Sequence, residues 1–468
     1  MLCCQSKIEH TRGKFNGFLE HAMLEETTFL NVPAGDSMTT SKTLNHSTLA
    51  WVVTLTAALF FFYEFIQLIM PNAINIELMQ AFHLDATGLG WLVSMYFWGN
   101  VIFLFPAGML LDRYSTKKLL MGAVIFCTLG TFVFALAQPL WLAASGRLVV
   151  GLGAAFCFLS CIRLASRWFP PSKMAFVTGI VVTMAMLGGF VAQSPMVVLT
   201  QWLGWRDAIL LDASLGIVIA LMIFLFVQDR PPNSTTNAKE DRKHLKTIGF
   251  FRCLKLVLLN PINWLGGLYT CLLNLPVFLL GGLWGIRYLV QAHDLTKVQA
   301  SYATSMLFVG IIFGSPAFGW FSDHIGLRRL PMILGAILSL IIILTMMYVP
   351  NLSLPALMFI FFLIGFVTSS QVLSYPTIAE LNPIVLTGTA MSVASMTIMS
   401  SGMIFDPLFG WLLERNWNFK IINNEHIYSV HDFNTAMWIM PIAFFVAIAV
   451  ACMIRETYCE SQVSDLKG

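Results

Sequence analysis

The sequence predicts an all-α membrane protein, with twelve transmembrane helices in two six-helix bundles, and three observations lead there. Hydrophobic residues make up 57% of the 468 residues and charged residues only 11%, whereas soluble globular domains carry about 25% charged residues. Apolar stretches of about 18 or more residues recur along the chain, each long enough to cross ~30 Å of hydrocarbon as a helix. A loop segment also occurs twice, about half a chain apart: Gly108-Met109-Leu110-Leu111-Asp112-Arg113-Tyr114-Ser115-Thr116-Lys117-Lys118 returns as Gly319-Trp320-Phe321-Ser322-Asp323-His324-Ile325-Gly326-Leu327-Arg328-Arg329. Duplication at that period, in so apolar a chain, implies two similar bundles facing each other.

The expected elements follow in order. Residues 1–48 are polar and lack the apolar core of a signal peptide, so they read as an extension; a start at Met23 or Met38 would leave every span intact. Six spans are expected near 49–75, 87–111, 118–138, 141–166, 174–200 and 207–227, forming an N-terminal bundle over 49–227. The stretch 228–260, with Pro231-Pro232 and the charged run Lys239 to Lys246, reads as a linker. A second six are expected near 261–288, 298–321, 330–349, 354–378, 387–412 and 433–454, giving a C-terminal bundle over 261–455 and a tail over 456–468.

Charge sets the expected orientation. With the termini, motif loops and linker placed in the cytoplasm, only Arg206, Arg287, Lys297, Arg415 and Lys420 of the 27 Lys and Arg fall on the other side, and Arg147 is the one base assigned to a span. A bacterial inner-membrane protein with both termini cytoplasmic follows. The net charge of +3 is small and spread over loops, so nucleic acid is not an expected partner. Nine cysteines suggest no disulfide framework, and although Cys157 and Cys161 share a helix face, no His or carboxylate lies near them to complete a metal site. No metal or cofactor is expected, and no Gly-Lys-Ser/Thr phosphate loop supplies the engine of an ATP-driven pump.

Both loop copies resemble the major facilitator superfamily motif Gly-x-x-x-Asp-Arg-x-Gly-Arg-Arg/Lys, between spans two and three and again between spans eight and nine. The first copy departs at Ser115 and Thr116, the second at His324. The resemblance implies gating roles for Gly108, Asp112, Arg113, Lys117 and Lys118, and for Gly319, Asp323, Arg328 and Arg329: the glycines permit close helix approach, and the acids cap helices and pair with basic groups of the opposing bundle. The alternative is that the acids only cap and the bases only set topology.

Span four, Ser145-Gly146-Arg147-Leu148-Val149-Val150-Gly151, resembles the intramembrane Arg motif of the same superfamily, with Val150 in place of Gln. A membrane-embedded charge is costly unless paired or hydrated, so Arg147 is a functional candidate, with a structural salt bridge as the alternative. In span one, Tyr63, Glu64 and Gln67 interrupt an otherwise apolar helix. At 1.5 Å per residue Glu64 lies ~15 Å, and Arg147 ~9 Å, from the outer ends of their spans. In the family, spans one, four, seven and ten line the central cavity, so the resemblance sets Glu64 and Arg147 face to face. Asp406, before Pro407 in span eleven, is a third candidate for proton coupling.

The same resemblance assigns Tyr63, Gln67, Tyr269, Asn274, Trp284, Ser370, Gln371 and Tyr375 to a substrate cavity, with helix–helix packing as the alternative for each. Tyr63-Glu64 followed by Pro71 also resembles the first span of the phagosomal transporters of intracellular bacteria, which import amino acids and nucleosides, although that subgroup has a base where this chain has Gln67. Span five lacks the Gly-Pro core of the superfamily's antiporter motif, which disfavours drug/proton antiport. The expected function is a monomeric secondary transporter, not an enzyme, that moves a small polar metabolite (an amino acid, nucleoside or organic acid) by alternating access and proton symport, with the bilayer, protons and that metabolite as partners. An exporter of a siderophore or drug, and a non-transporting sensor on the same fold, are the rivals.

Overall fold

A computed structural model describes residues 39–169, 173–231, 257–382, 387–417, 421–422 and 425–460. Eleven helices among them are long and apolar enough to cross a membrane, and a bent pair makes the twelfth span. The first half comprises Thr48–Asn72, Ala86–Leu111, Thr116–Leu136, Leu140–Trp168, Phe176–Leu203 and Trp205–Phe226. The second comprises the pair Pro261–Leu273 with Val277–His293, then Lys297–Ile325, Arg329–Tyr348, Leu354–Glu380, Ala390–Asn416 and Val430–Met453. They are called spans one to twelve below. The remaining strand structure described is a two-residue ribbon, Ile421–Ile422 against Glu425–His426.

Local sequence sets the span ends. Asp85 caps span two by accepting from Gly88 N at 2.6 Å, and Ser115 caps span three by accepting from Lys118 N at 3.2 Å. Thr296 and Gln299 close a capping box at the start of span eight, which satisfies two otherwise orphaned helix donors. Span eight stops at Gly326, whose φ of 68° suits a residue without a β-carbon. Span seven breaks after Leu273: Asn274-Leu275-Pro276 intervene, Val277–Trp284 winds as a π-helix, and the axis bends by 42°. The sequence reading of one uninterrupted helix over 261–288 is corrected here, because Pro276 has no N–H to continue the ladder.

The duplication extends to packing. Gly99 of span two lies against the Leu148 carbonyl of span four, and Gly310 of span eight against the Phe362 carbonyl of span ten, at the same offset as the two loop copies. Small residues at these crossings let backbones touch, which is how helices associate in lipid without a hydrophobic drive. Large apolar side chains such as Phe126, Leu221, Phe313, Trp320, Phe359 and Phe445 stay exposed on the outer faces, where hydrocarbon solvates them.

Arg147 is not the sole base within a span. Span four runs on through Arg163 and Arg167 to Trp168, and Arg287 is fully buried in the second segment of span seven.

Candidate functional site

The halves meet along two long helix pairs and, at one end, where span one reaches span seven. Span two lies on span eleven, with Gly90 against the backbone of Asp406 and Pro407, and Gly410 against Ala86. Span five lies on span eight, with Gly189 against the Phe308 ring and Ser194 Oγ 2.9 Å from Ser305 Oγ. Polar bonds across the halves gather at the end opposite the motif loops. Lys297 pairs with Glu77, Glu414 Oε1 accepts from Ala86 N at 2.9 Å, and Arg287 Nη1 is 2.7 Å from Met79 Sδ. A cavity of about 480 Å3 at this end is lined by Met79, Gln80, His83, Asp85, Arg287 and His426.

At the motif-loop end, Arg167 pairs with Asp229 within the first half, and Arg328 pairs with Asp323 and Glu380 within the second. Arg328 donates to Asp323 Oδ1 at 2.6 Å, to Ser322 Oγ at 3.0 Å and to Glu380 Oε1 at 2.8 Å. Burial would lower the Arg328 pKa, but the Glu380 and Asp323 carboxylates raise it above the usual arginine value. Glu456, just beyond span twelve, accepts from the backbone N–H groups of Arg328 at 2.7 Å and Arg329 at 2.9 Å. Asp229, just beyond span six, does the same for Lys117 N at 2.8 Å, and binds Ser115. Each half thus staples the start of its third span with the first carboxylate after its sixth, a pairing the sequence reading missed. Burial alone would raise the Glu456 carboxyl, but these backbone donors hold it below the ordinary glutamate value.

The motif residues occupy this region. Lys117 Nζ donates to Phe224 O at 2.8 Å, Lys118 is exposed, and the side chains of Asp112 and Arg113 lie outside the described residues. A β-carbon at Gly108 or Gly319 meets no described atom within 4 Å. The expectation of close helix approach at these two glycines is therefore corrected for this conformation, in which the halves are sealed at the opposite end.

The predicted charged residues converge at the centre. Glu64, Arg147 and Asp406 are 3%, 1% and 1% exposed. Tyr96 of span two donates to Glu64 Oε1, and the Arg147 guanidinium lies 5.1 Å from the Tyr96 ring centroid and 5.8 Å from that of Phe134. Arg147 Nη1 donates to the Gln67 carbonyl at 2.7 Å, and its charge is within electrostatic range of both Asp406 and Glu64. Arg147 Nε and Nη2, Glu64 Oε2 and Asp406 Oδ1 have no hydrogen-bond partner among the described residues. An unmet buried polar atom costs about 1–3 kcal/mol, more when charged, so four of them in one region set this place apart from the apolar core around it.

The remaining predicted residues divide. Tyr63 and Gln67 turn into their own half: Tyr63 OH donates to Thr131 Oγ1 at 3.4 Å, Thr131 Oγ1 donates to Gln67 Oε1 at 3.0 Å, and Gln67 Nε2 donates to Asp212 of span six. Tyr269 OH donates to Met332 O at 2.8 Å and lies 3.0 Å from Ser370 Oγ, tying spans seven, nine and ten together. Asn274, Gln371 and Tyr375 are partly exposed, and Gln371 Oε1 has no partner among the described residues. Trp284 is buried and stacks on Phe409 of span eleven, with centroids 5.5 Å apart. The sequence reading missed Tyr96 and Asp212. Asp212, a full turn inside span six beyond Arg206 and Asp207, was as visible a signal as Glu64.

With this geometry in place, comparison with known proteins is direct. The family model of the Major Facilitator Superfamily matches residues 50–286 and 267–464. The chain belongs to that superfamily, and is a multi-pass membrane transporter of small organic substrates. It is 25% identical over 419 residues to the gentisate transporter of Corynebacterium glutamicum, covering 87% of this chain and 89% of that one. It is 24% identical over 247 residues to the hexuronate transporter of Bacillus subtilis, covering 52% and 57%. Among solved structures, the D-xylose–proton symporter superposes with a TM-score of 0.70 at 14% identity, over 87% of this chain and 98% of that one.

Proposed function

We propose that the protein is a proton symporter that takes up a small organic acid across a bacterial inner membrane, by alternating access around Glu64, Arg147 and Asp406. The observation that carries the proposal is a buried guanidinium with two N–H-bearing nitrogens unengaged among the described residues, set between two carboxylates on opposite halves. A guanidinium fork suits a carboxylate, and the gentisate and hexuronate transporters are named for carboxylic acids.

Coupling follows from competition. With both acids ionised, Glu64 and Asp406 hold the Arg147 charge and repel an incoming anion. Protonation of Glu64 releases Arg147 to the cargo, so proton and anion enter together. A driving force of ~150 mV supplies ~3.5 kcal/mol per proton, enough for accumulation of a few hundredfold.

In this proposal the motif loops, both termini and the 228–260 linker face the cytoplasm, and the polar seal at the other end closes the outside. The proposed division is 49–227 for one bundle and 261–455 for the other. The test is uptake of radiolabelled aromatic acids and uronates into liposomes under an imposed pH gradient. Saturable, gradient-dependent accumulation of at least one acid is expected, and accumulation of amino acids or nucleosides alone would contradict the proposal. Reporter fusions at Pro232 and at the C-terminus check the orientation, and activity of a periplasmic reporter at either site would reverse it.

A further inference from the structure

Asn72, at the end of span one, is inserted into the backbone ladder of span seven. Its Nδ2 donates to Leu280 O at 2.9 Å and to Gly281 O at 3.0 Å, while its Oδ1 accepts from Ile286 N at 3.1 Å. Gly281 O and Ile286 N are the two ends of an i→i+5 turn, the bond that a continuing π-helix would form itself. One carboxamide from the opposite half replaces that bond by supplying a donor to one end and an acceptor to the other. Gln193 of span five adds a second contact, donating to the same Gly281 O at 2.6 Å, and is held by Asn72 Nδ2 at 3.2 Å and Thr304 Oγ1 at 2.8 Å. Asn75 donates to Leu283 O at 2.9 Å. All three amide side chains are fully buried.

We propose that Asn72 and Gln193 are the positioning residues of the gate opposite the motif loops, because their carboxamides substitute for span-seven backbone bonds only while the halves are together. When the halves part at that end, Gly281 O and Ile286 N are freed to bond to each other, adding the next i→i+5 turn to the one that Gly285 N already closes on Leu280 O. The bonds lost across the seam are replaced inside the helix, so parting leaves no orphaned backbone group. The π-segment is thus a two-state element: in one state its ladder is completed by the other half, in the other by itself. Gly281 and Gly282 suit this position, since a β-carbon at Gly281 would press on Phe308 at 3.0 Å. This inference does not depend on the identity of the cargo.

The test is the distance between bio-orthogonal spin labels at Trp202 and Val430, exposed positions on opposite halves at the sealed end, in the full-length protein reconstituted in nanodiscs. The unsubstituted protein should give mainly the short distance. Asn72→Leu keeps the branched shape and removes all three backbone bonds, so it should raise the ratio of long to short distances at least tenfold. Gln193→Leu should shift it in the same direction by less, and decides the matter if Asn72→Leu does not fold. The thermal midpoint should stay close to that of the parent. A folded Asn72→Leu or Gln193→Leu protein with the parent's distance distribution would overturn the inference.

Discussion

Tyr96 of span two donates its hydroxyl to Glu64 of span one, and the same ring carries the Arg147 guanidinium 5.1 Å from its centroid. One phenol thus touches both the acid and the base of the proposed coupling pair. Tyr96→Phe keeps the ring under Arg147 and removes the donor to Glu64. Because a hydrogen bond to a charged group is worth about 1.5–3 kcal/mol, gradient-driven uptake should slow by roughly tenfold. Counterflow, measured in the same liposomes, should change by much less; equal loss of both would assign Tyr96 to packing alone.

Arg147→Lys retains the charge but loses the planar fork. Cargo affinity, read as ligand-induced thermal stabilisation, should weaken about ten- to a hundredfold. Arg147→Ala should also destabilise the protein, because it leaves two buried carboxylates without their cation, and adding Glu64→Gln should recover part of that loss. Full affinity in the Lys variant would exclude Arg147 as the carboxylate anchor.

The motif loop of the second half depends on Arg328, whose side chain is 9% exposed against 13% for Glu380. Arg328→Ala should cost about 3 kcal/mol of stability, since it strands a largely buried carboxylate. Asp323→Asn should cost little, because Asp323 is 67% exposed and water screens the pair. Thermal midpoints of the two variants side by side check the order, and equal losses would contradict it.

Glu456 gives a pH dependence whose sign is fixed. Its carboxyl sits below the ordinary value in the folded protein, so the stabilisation is present above that ordinary value and is lost as pH falls through the depressed one. Glu456→Gln should flatten the acid limb of a thermal midpoint measured from near-neutral pH downward. An unchanged acid limb would show that the staple at Arg328 and Arg329 contributes nothing to stability.

Much of this was legible in the chain because it is local. Twelve apolar runs, the doubled loop and the acid and base isolated in spans one and four each declare themselves within a few residues. The break in span seven was visible at Pro276, but apolar continuity on both sides hid it. Asp212 is hidden for a different reason: its partner Gln67 is five spans away, and span six is not among the spans that line a cavity by resemblance. The staples by Asp229 and Glu456 and the insertion of Asn72 into span seven depend on which helix ends meet in space, which no local pattern records. Tyr63 and Gln67 share a helix with Glu64, yet their rotation around it directs them toward Thr131 and Asp212.

The central claim is that Glu64 carries the coupled proton. Glu64→Gln preserves size and hydrogen bonding while fixing the neutral state, so the measurement is labelled-acid transport by this variant in liposomes, with and without an imposed pH gradient. Gradient-driven accumulation should be abolished while cargo counterflow at equal pH persists. Accumulation that still follows the imposed gradient would contradict it, and would move the coupling site to Asp406.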